Sequence, residues 1–151
     1  MRLALDEARQ ALAHADVPIG AVAVLEGQVI GIGRNRREAD QDPTAHAEMI
    51  AIRQAAAHTG RWRLDGVTLY CTLEPCTMCA GAMVLARLPR LVYATPDPKA
   101  GAAGSILDVL AHPLLNHRVA VTVLEGPLAE EAAELIREFF RSLRAQGKNG
   151  R

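Results

Sequence analysis

Two short segments carry most of the chemistry this chain can offer: His46-Ala47-Glu48 and Pro75-Cys76-Thr77-Met78-Cys79. The first sets an imidazole beside a carboxylate. The second sets two thiols three residues apart, a spacing at which both face one side of a helix. One nitrogen and two sulfurs make three ligands for a zinc ion, one fewer than the four that close a structural site. The open position admits water, whose pKa zinc brings down to about 7. Glu48, two residues beyond His46, is near enough to move that water's protons. Such a site predicts metal-assisted hydrolysis and points to deamination: the carboxylate takes a proton from water, protonates a ring nitrogen, then protonates the departing ammonia.

Other uses of these residues fit less well. The three cysteines, Cys71, Cys76 and Cys79, are odd in number and crowded together, a poor disulfide framework and a plausible metal framework. A redox Cys-x-x-Cys usually sits early in a thioredoxin-like βαβ unit. Here the pair follows the third expected strand, and His46 with Glu48 would have no part in that chemistry. A closed structural site would have to recruit Cys71, His58 or Glu48. Cys71 falls within an expected strand and reads as core packing.

The elements that must position these groups follow from apolar spacing and turn residues. Residues 2–14 read as an amphipathic helix, ended by Pro18 and Gly20. Residues 19–25 and 28–32 read as a hairpin around Glu26-Gly27. A polar loop runs from Arg34 to Pro43, Thr44 is a candidate N-cap, and 46–57 is an Ala-rich helix. Strand 67–72 leads to Pro75, which suits a helix start, and to a helix over 77–86. Strand 91–94, a Pro- and Gly-rich loop over 95–104, a short apolar helix at 106–111 and strand 119–124 follow. A closing helix spans 128–144, and the chain reads as frayed from Gln146 onward. The alternation predicts an α/β layered domain around a mixed sheet of about five strands, with one domain over 1–151. Both motifs fall at helix N-termini, where partial positive charge and free N–H groups favour thiolates.

Half the residues are hydrophobic, enough for one sizeable core. No apolar run approaches the roughly 18 residues of a membrane span, and Met1-Arg2-Leu3-Ala4-Leu5-Asp6-Glu7 lacks a secretory h-region. The expectation is a cytoplasmic protein with reduced thiols and no membrane partner. The 17 basic and 17 acidic residues cancel, but Arg137, Arg141, Arg144, Lys148 and Arg151 against Glu138 give the last fifteen residues a basic balance. Such a segment attracts phosphate, or is a solvated helix face.

The pattern H-x-E…P-C-x-x-C is the signature of zinc deaminases. From Asp16-Val17-Pro18-Ile19-Gly20-Ala21-Val22 to Phe139-Phe140 the chain resembles the bacterial tRNA-specific adenosine deaminases, within the cytidine deaminase superfamily. Matching stretches include Asn35, 42–48 and 72–83, the last shared in part with guanine deaminases. More specific are 97–105 and 112–118. The family often shows Lys-Thr-Gly where this chain has Lys99-Ala100-Gly101, one hydroxyl fewer.

This resemblance implies a three-layer αβα cytidine-deaminase-like fold with a mixed five-stranded sheet. It implies one zinc per subunit on His46, Cys76 and Cys79, with Glu48 catalytic. It further implies hydrolysis of adenosine to inosine at the wobble position of a tRNA anticodon stem-loop, within a homodimer. Asn35 matches a position that hydrogen-bonds the purine. Ala47, Asp97, Lys99 and Asn116 match substrate-binding positions. Phe139 and Phe140 could stack a base, though on an amphipathic helix at least one is expected in the core. The two motifs do not themselves choose the substrate. A deaminase of a free base or nucleoside (guanine, cytosine or cytidine) and an inactive zinc-stabilised RNA-binding subunit remain alternatives, the latter disfavoured by Glu48.

Overall fold

The computed structural model describes residues 1–147. Five strands form one sheet in the order β2-β1-β3-β4-β5. β1 (Gly20–Leu25) pairs antiparallel with both β2 (Gln28–Arg34) and β3 (Thr68–Leu73), while β3, β4 (Arg90–Thr95) and β5 (Ala120–Val123) run parallel. The sheet is thus mixed, as expected. The β1–β2 hairpin closes on Glu26 and Gly27, both with positive φ, a turn whose twist matches paired strands.

Helices flank the sheet. α1 (Arg2–Ala11) packs on β1 and β2, burying Leu5 and Ala8, and α5 (Pro127–Ala145) packs on β4. On the other side α3 (Ala47–Thr59) lies across β2 and β1 beside α4 (Thr77–Leu85). These are the three αβα layers. Leu64, Val67, Leu69, Cys71, Met83 and Leu91 form the centre of the main core.

Close helix–sheet packing sets the position of α3. Ala47, Ala51 and Ala55 recur every four residues and are fully buried. They meet Gly31 and Gly33 of β2; a Cβ on Gly33 would lie 2.0 Å from the Ala47 carbonyl oxygen. Because Ala47 is the first residue of α3, this contact also places His46 and Glu48. Gly33→Ala is therefore expected to push the start of α3 off the sheet and to destabilise the fold by about 1–3 kcal/mol, measured by denaturant unfolding, with metal affinity weakened in parallel.

Several local expectations differ from the structure. The supposed loop after β2 contains a short helix, α2 (Arg37–Asp40). Its start is held by Asp16, whose carboxylate accepts the Glu38 N–H at 2.8 Å and the Ala39 N–H at 3.1 Å. That cap comes from a distant part of the chain. Thr44 does not cap α3: its N–H and hydroxyl both donate to Asp42 Oδ1 at 2.7 Å, and His46 takes the N-cap position. No helix forms over 106–111. Gly104 has a φ of 127°, Ala103 bridges Asp108, and Asp108 Oδ1 accepts the Ala111 N–H at 3.0 Å, so local side-chain bonding replaces a helical turn. At the C-terminal end, Gln146 and Gly147 donate to the Ser142 and Arg144 carbonyls at 3.1 Å. The frayed tail expected for 148–151 lies outside the described residues.

Candidate metal centre and cleft

The site lies where β3 and β4 end, the edge at which parallel α/β sheets place their ligands. After β3 the chain continues through Glu74 and Pro75 to Cys76, the N-cap of α4, with extended backbone (φ −74°, ψ 175°). His46 is the N-cap of α3 with similar backbone (φ −79°, ψ 149°). Two helix N-termini thus point their first residues at one spot. His46 Nδ1 lies 3.6 Å from Cys76 Sγ and 3.6 Å from Cys79 Sγ, and the sulfurs are 3.7 Å apart. Among the described residues this trio is the cluster of three whose donor atoms could hold one metal ion. Cys71 is outside it, fully buried in the core.

The electrostatics suit a cation. The hydrogen bond from the Cys79 thiol, helped by His46 and opposed by burial, draws the Cys76 thiol down to about 3. Cys79 is pushed up by that same bond, by burial and by Glu48. The contact with Cys76 raises the His46 imidazole. Two sulfurs this close resist carrying two negative charges unless a positive ion sits between them. Glu48 is 4% exposed, and burial pushes its carboxyl up to about 6.

A cavity of about 380 Å³ opens over the trio, and His46, Glu48, Cys76, Asp97, Lys99 and Phe140 are among its walls. The size suits a small ligand or an extruded base. A second cavity of about 370 Å³ adjoins it through Val17, Arg37 and Phe140, with Asn35 in its wall. A third hollow, bordered by Lys99, Arg137, Arg141 and Arg144, continues past Phe140.

The residues matched by resemblance fall in different places. Asn35 is 4% exposed; its Nδ2 donates to the Val17 carbonyl at 3.3 Å, and its Oδ1 accepts no hydrogen bond from the protein. A buried carbonyl left so costs about 1–3 kcal/mol, and a donor on a bound ligand would satisfy it. Asp97 and Lys99 reach the cleft, with Asp97 Oδ1 accepting the Lys99 and Ala100 N–H groups at 2.9 and 3.2 Å. Ala47 is fully buried, so what it can offer a ligand is its backbone N–H, in the first turn of α3. Asn116 is exposed and accepts from Arg87 Nη1 at 2.6 Å; it does not line these cavities. Phe139 and Phe140 meet edge to face at 5.4 Å, and neither is in the core. The reason is that α5 buries only Ala132 fully, near its start, while its later turns run along the cleft.

Two positioning acids were missed by sequence reasoning: Asp16, which caps α2, and Glu74, which holds the segment after β4. Both are buried. Their only sequence signal is position, Asp16 just after α1 and Glu74 at the end of β3.

The family of MafB19-like deaminases matches residues 1–144. A tRNA-specific adenosine deaminase of Bacillus subtilis (strain 168) is 44% identical over 151 residues, covering 100% of this chain and 92% of that protein. A structure solved in work on A-to-I editing by tRNA:A34 deaminases at the wobble position of transfer RNA superposes with a TM-score of 0.84 at 47% identity, over 89% of this chain and 96% of that one. A guanine deaminase from Nitrosomonas europaea superposes less well, with a TM-score of 0.74 at 26% identity, over 90% of this chain and 80% of that one.

Proposed function

The chain belongs to the tRNA-specific adenosine deaminases, and we propose that it converts adenosine to inosine at the wobble position of a tRNA anticodon, with zinc held by His46, Cys76 and Cys79. The observation that carries the chemistry is the spacing of the three donors beside buried Glu48. Tetrahedral zinc, with Zn–S near 2.3 Å and Zn–N near 2.0 Å, would set S···S at about 3.8 Å and S···N at about 3.5 Å. The donors stand at 3.7 and 3.6 Å, so they fit the ion closely.

When bound, zinc supplies a water that loses its proton near neutral pH. Glu48 accepts that proton and delivers it to N1 of the adenine as the water oxygen bonds to C6. A further proton passes through Glu48 to the amino group, the C6–N bond breaks, and ammonia leaves. His46, Cys76 and Cys79 hold their places through two helix N-caps and move no proton. The Asn35 Oδ1 offers an acceptor to the purine from the neighbouring cavity. Asn35→Ala is expected to lower kcat/KM about tenfold, the effect of one hydrogen bond, with metal content unchanged; steady-state kinetics on an RNA stem-loop reads it.

The rest of the proposal is a single deaminase domain over 1–151, working as a homodimer in the cytoplasm. Three free cysteines suit a reducing compartment, and no helix among the described residues is long and apolar enough to cross a membrane.

The test of this reading is substrate choice. Purified protein receives an anticodon stem-loop with adenosine at the wobble position and, separately, adenosine, cytidine, cytosine and guanine. Inosine in the RNA is the expected product. Turnover of a free base with no inosine in the RNA would sink the reading in favour of a free-base deaminase.

A further inference from the structure

Glu74 stands two residues before a metal-ligand cysteine, yet both its oxygens are occupied elsewhere. Its side chain is 2% exposed. Oε1 accepts the N–H groups of Ala103 and Ser105, each at 3.0 Å. Oε2 accepts the Asp97 N–H at 2.9 Å and the Ser105 hydroxyl. The bonds therefore come from both ends of the 97–105 segment.

The backbone closes the same joint. The Pro75 carbonyl accepts the Ala102 N–H at 2.9 Å, and Cys76 forms an antiparallel bridge with Gly101. A Cβ on Gly101 would lie 2.4 Å from the Glu74 carboxylate, so the segment wraps it without a gap. The residues held in this way include Asp97, Lys99 and Ala100, which wall the cavity over the trio. Without helix or strand, the segment relies on these contacts and on short-range turns such as Gly101 N–H to the Asp97 carbonyl at 3.0 Å.

We propose that Glu74 is a positioning residue for the reaction: its carboxylate pins the 97–105 segment in register with Cys76, and so fixes where the RNA around the reacting adenosine meets the protein. The RNA part of this rests on the function proposed above. Glu74 borders the cleft but is outside the metal-binding trio, and both its carboxylate oxygens are taken up by the segment. It acts through Asp97, Lys99 and Ala100, so its loss weakens substrate engagement before it weakens the metal site.

Glu74→Gln tests this in the zinc-loaded protein. The amide turns one acceptor oxygen into a donor, so either the Ala103 and Ser105 N–H groups or the Asp97 N–H lose their acceptor, while the Ser105 hydroxyl can turn to accept. Hydrogen bonds to a charged acceptor are worth about tenfold or more each. The expected result is zinc content as in the wild type, kcat/KM on the stem-loop lowered at least about tenfold, and a rise in KM larger than the fall in kcat. Amide exchange at Asp97, Ala103 and Ser105 should quicken in the same variant. Ser105→Ala, which approaches the carboxylate from the segment's side, should show a milder form of both effects, and it decides the matter if Glu74→Gln fails to fold. Unchanged exchange in the variants overturns the pin, and unchanged KM with faster exchange overturns its role in substrate placement. Wild-type protein that makes no inosine in the stem-loop overturns the RNA contact together with the proposed function; amide exchange still decides separately whether Glu74 pins the segment.

Discussion

Glu48→Ala is expected to keep its zinc and to lose about 10²- to 10⁴-fold in the rate of inosine formation, the range for removing a general acid–base. The carboxylate is buried in the first turn of α3 and faces the same cavity as His46 and Cys76. The trio already satisfies the metal with one nitrogen and two sulfurs, so Glu48 is not needed to hold it. What disappears is the group that carries protons from water to ring nitrogen and amino group. Metal analysis beside single-turnover kinetics separates the two roles. Loss of zinc in this variant would make Glu48 a ligand, and near-normal turnover with zinc retained would remove it from the mechanism.

Cys79→Ala should lose metal and activity together. Cys79 lies fully buried in the first turn of α4, 3.7 Å from one remaining donor and 3.6 Å from the other. Without it a thiolate and an imidazole remain, too few to compete for zinc at ordinary concentrations. Zinc is expected to fall from about one per chain to near zero, with no measurable inosine. Thermal unfolding should shift down by the stabilisation that bound metal gave the native state, and chelation of the wild type should produce the same shift. Cys71→Ala is the control: Cys71 sits in β3 outside the trio, so that variant keeps its zinc. A Cys79→Ala protein with full metal content would contradict the ligand set.

The parts legible in the sequence are those fixed by local spacing. His46 and Cys76 were expected at helix starts, and both are N-caps; Glu26-Gly27 was expected to turn a hairpin, and it does. The sheet and its flanking helices also follow from apolar patterning. What escaped depends on groups distant in the chain. α2 exists because Asp16 caps it from the far side of the hairpin. Four hydrogen bonds from the 97–105 segment converge on Glu74, and nothing within the segment announces that. Periodicity over 106–111 suggested a helix, but Gly104 and the Asp108 side chain favoured turns. At least one of Phe139 and Phe140 was expected in the core, because helical spacing alone cannot show that α5 buries only Ala132 fully. Asn116 was matched by resemblance to a place near RNA; its side chain accepts from Arg87 and does not line the three cavities.

The central claim is that the trio and Glu48 direct water onto C6 of a wobble adenosine. The measurement that meets it most directly is mass spectrometry of that nucleotide after zinc-loaded protein has acted on the stem-loop in water enriched with heavy oxygen. The account predicts inosine at the wobble position alone, with the heavy oxygen on C6. Unchanged adenosine there in protein that holds its zinc, or inosine without the label, would contradict it.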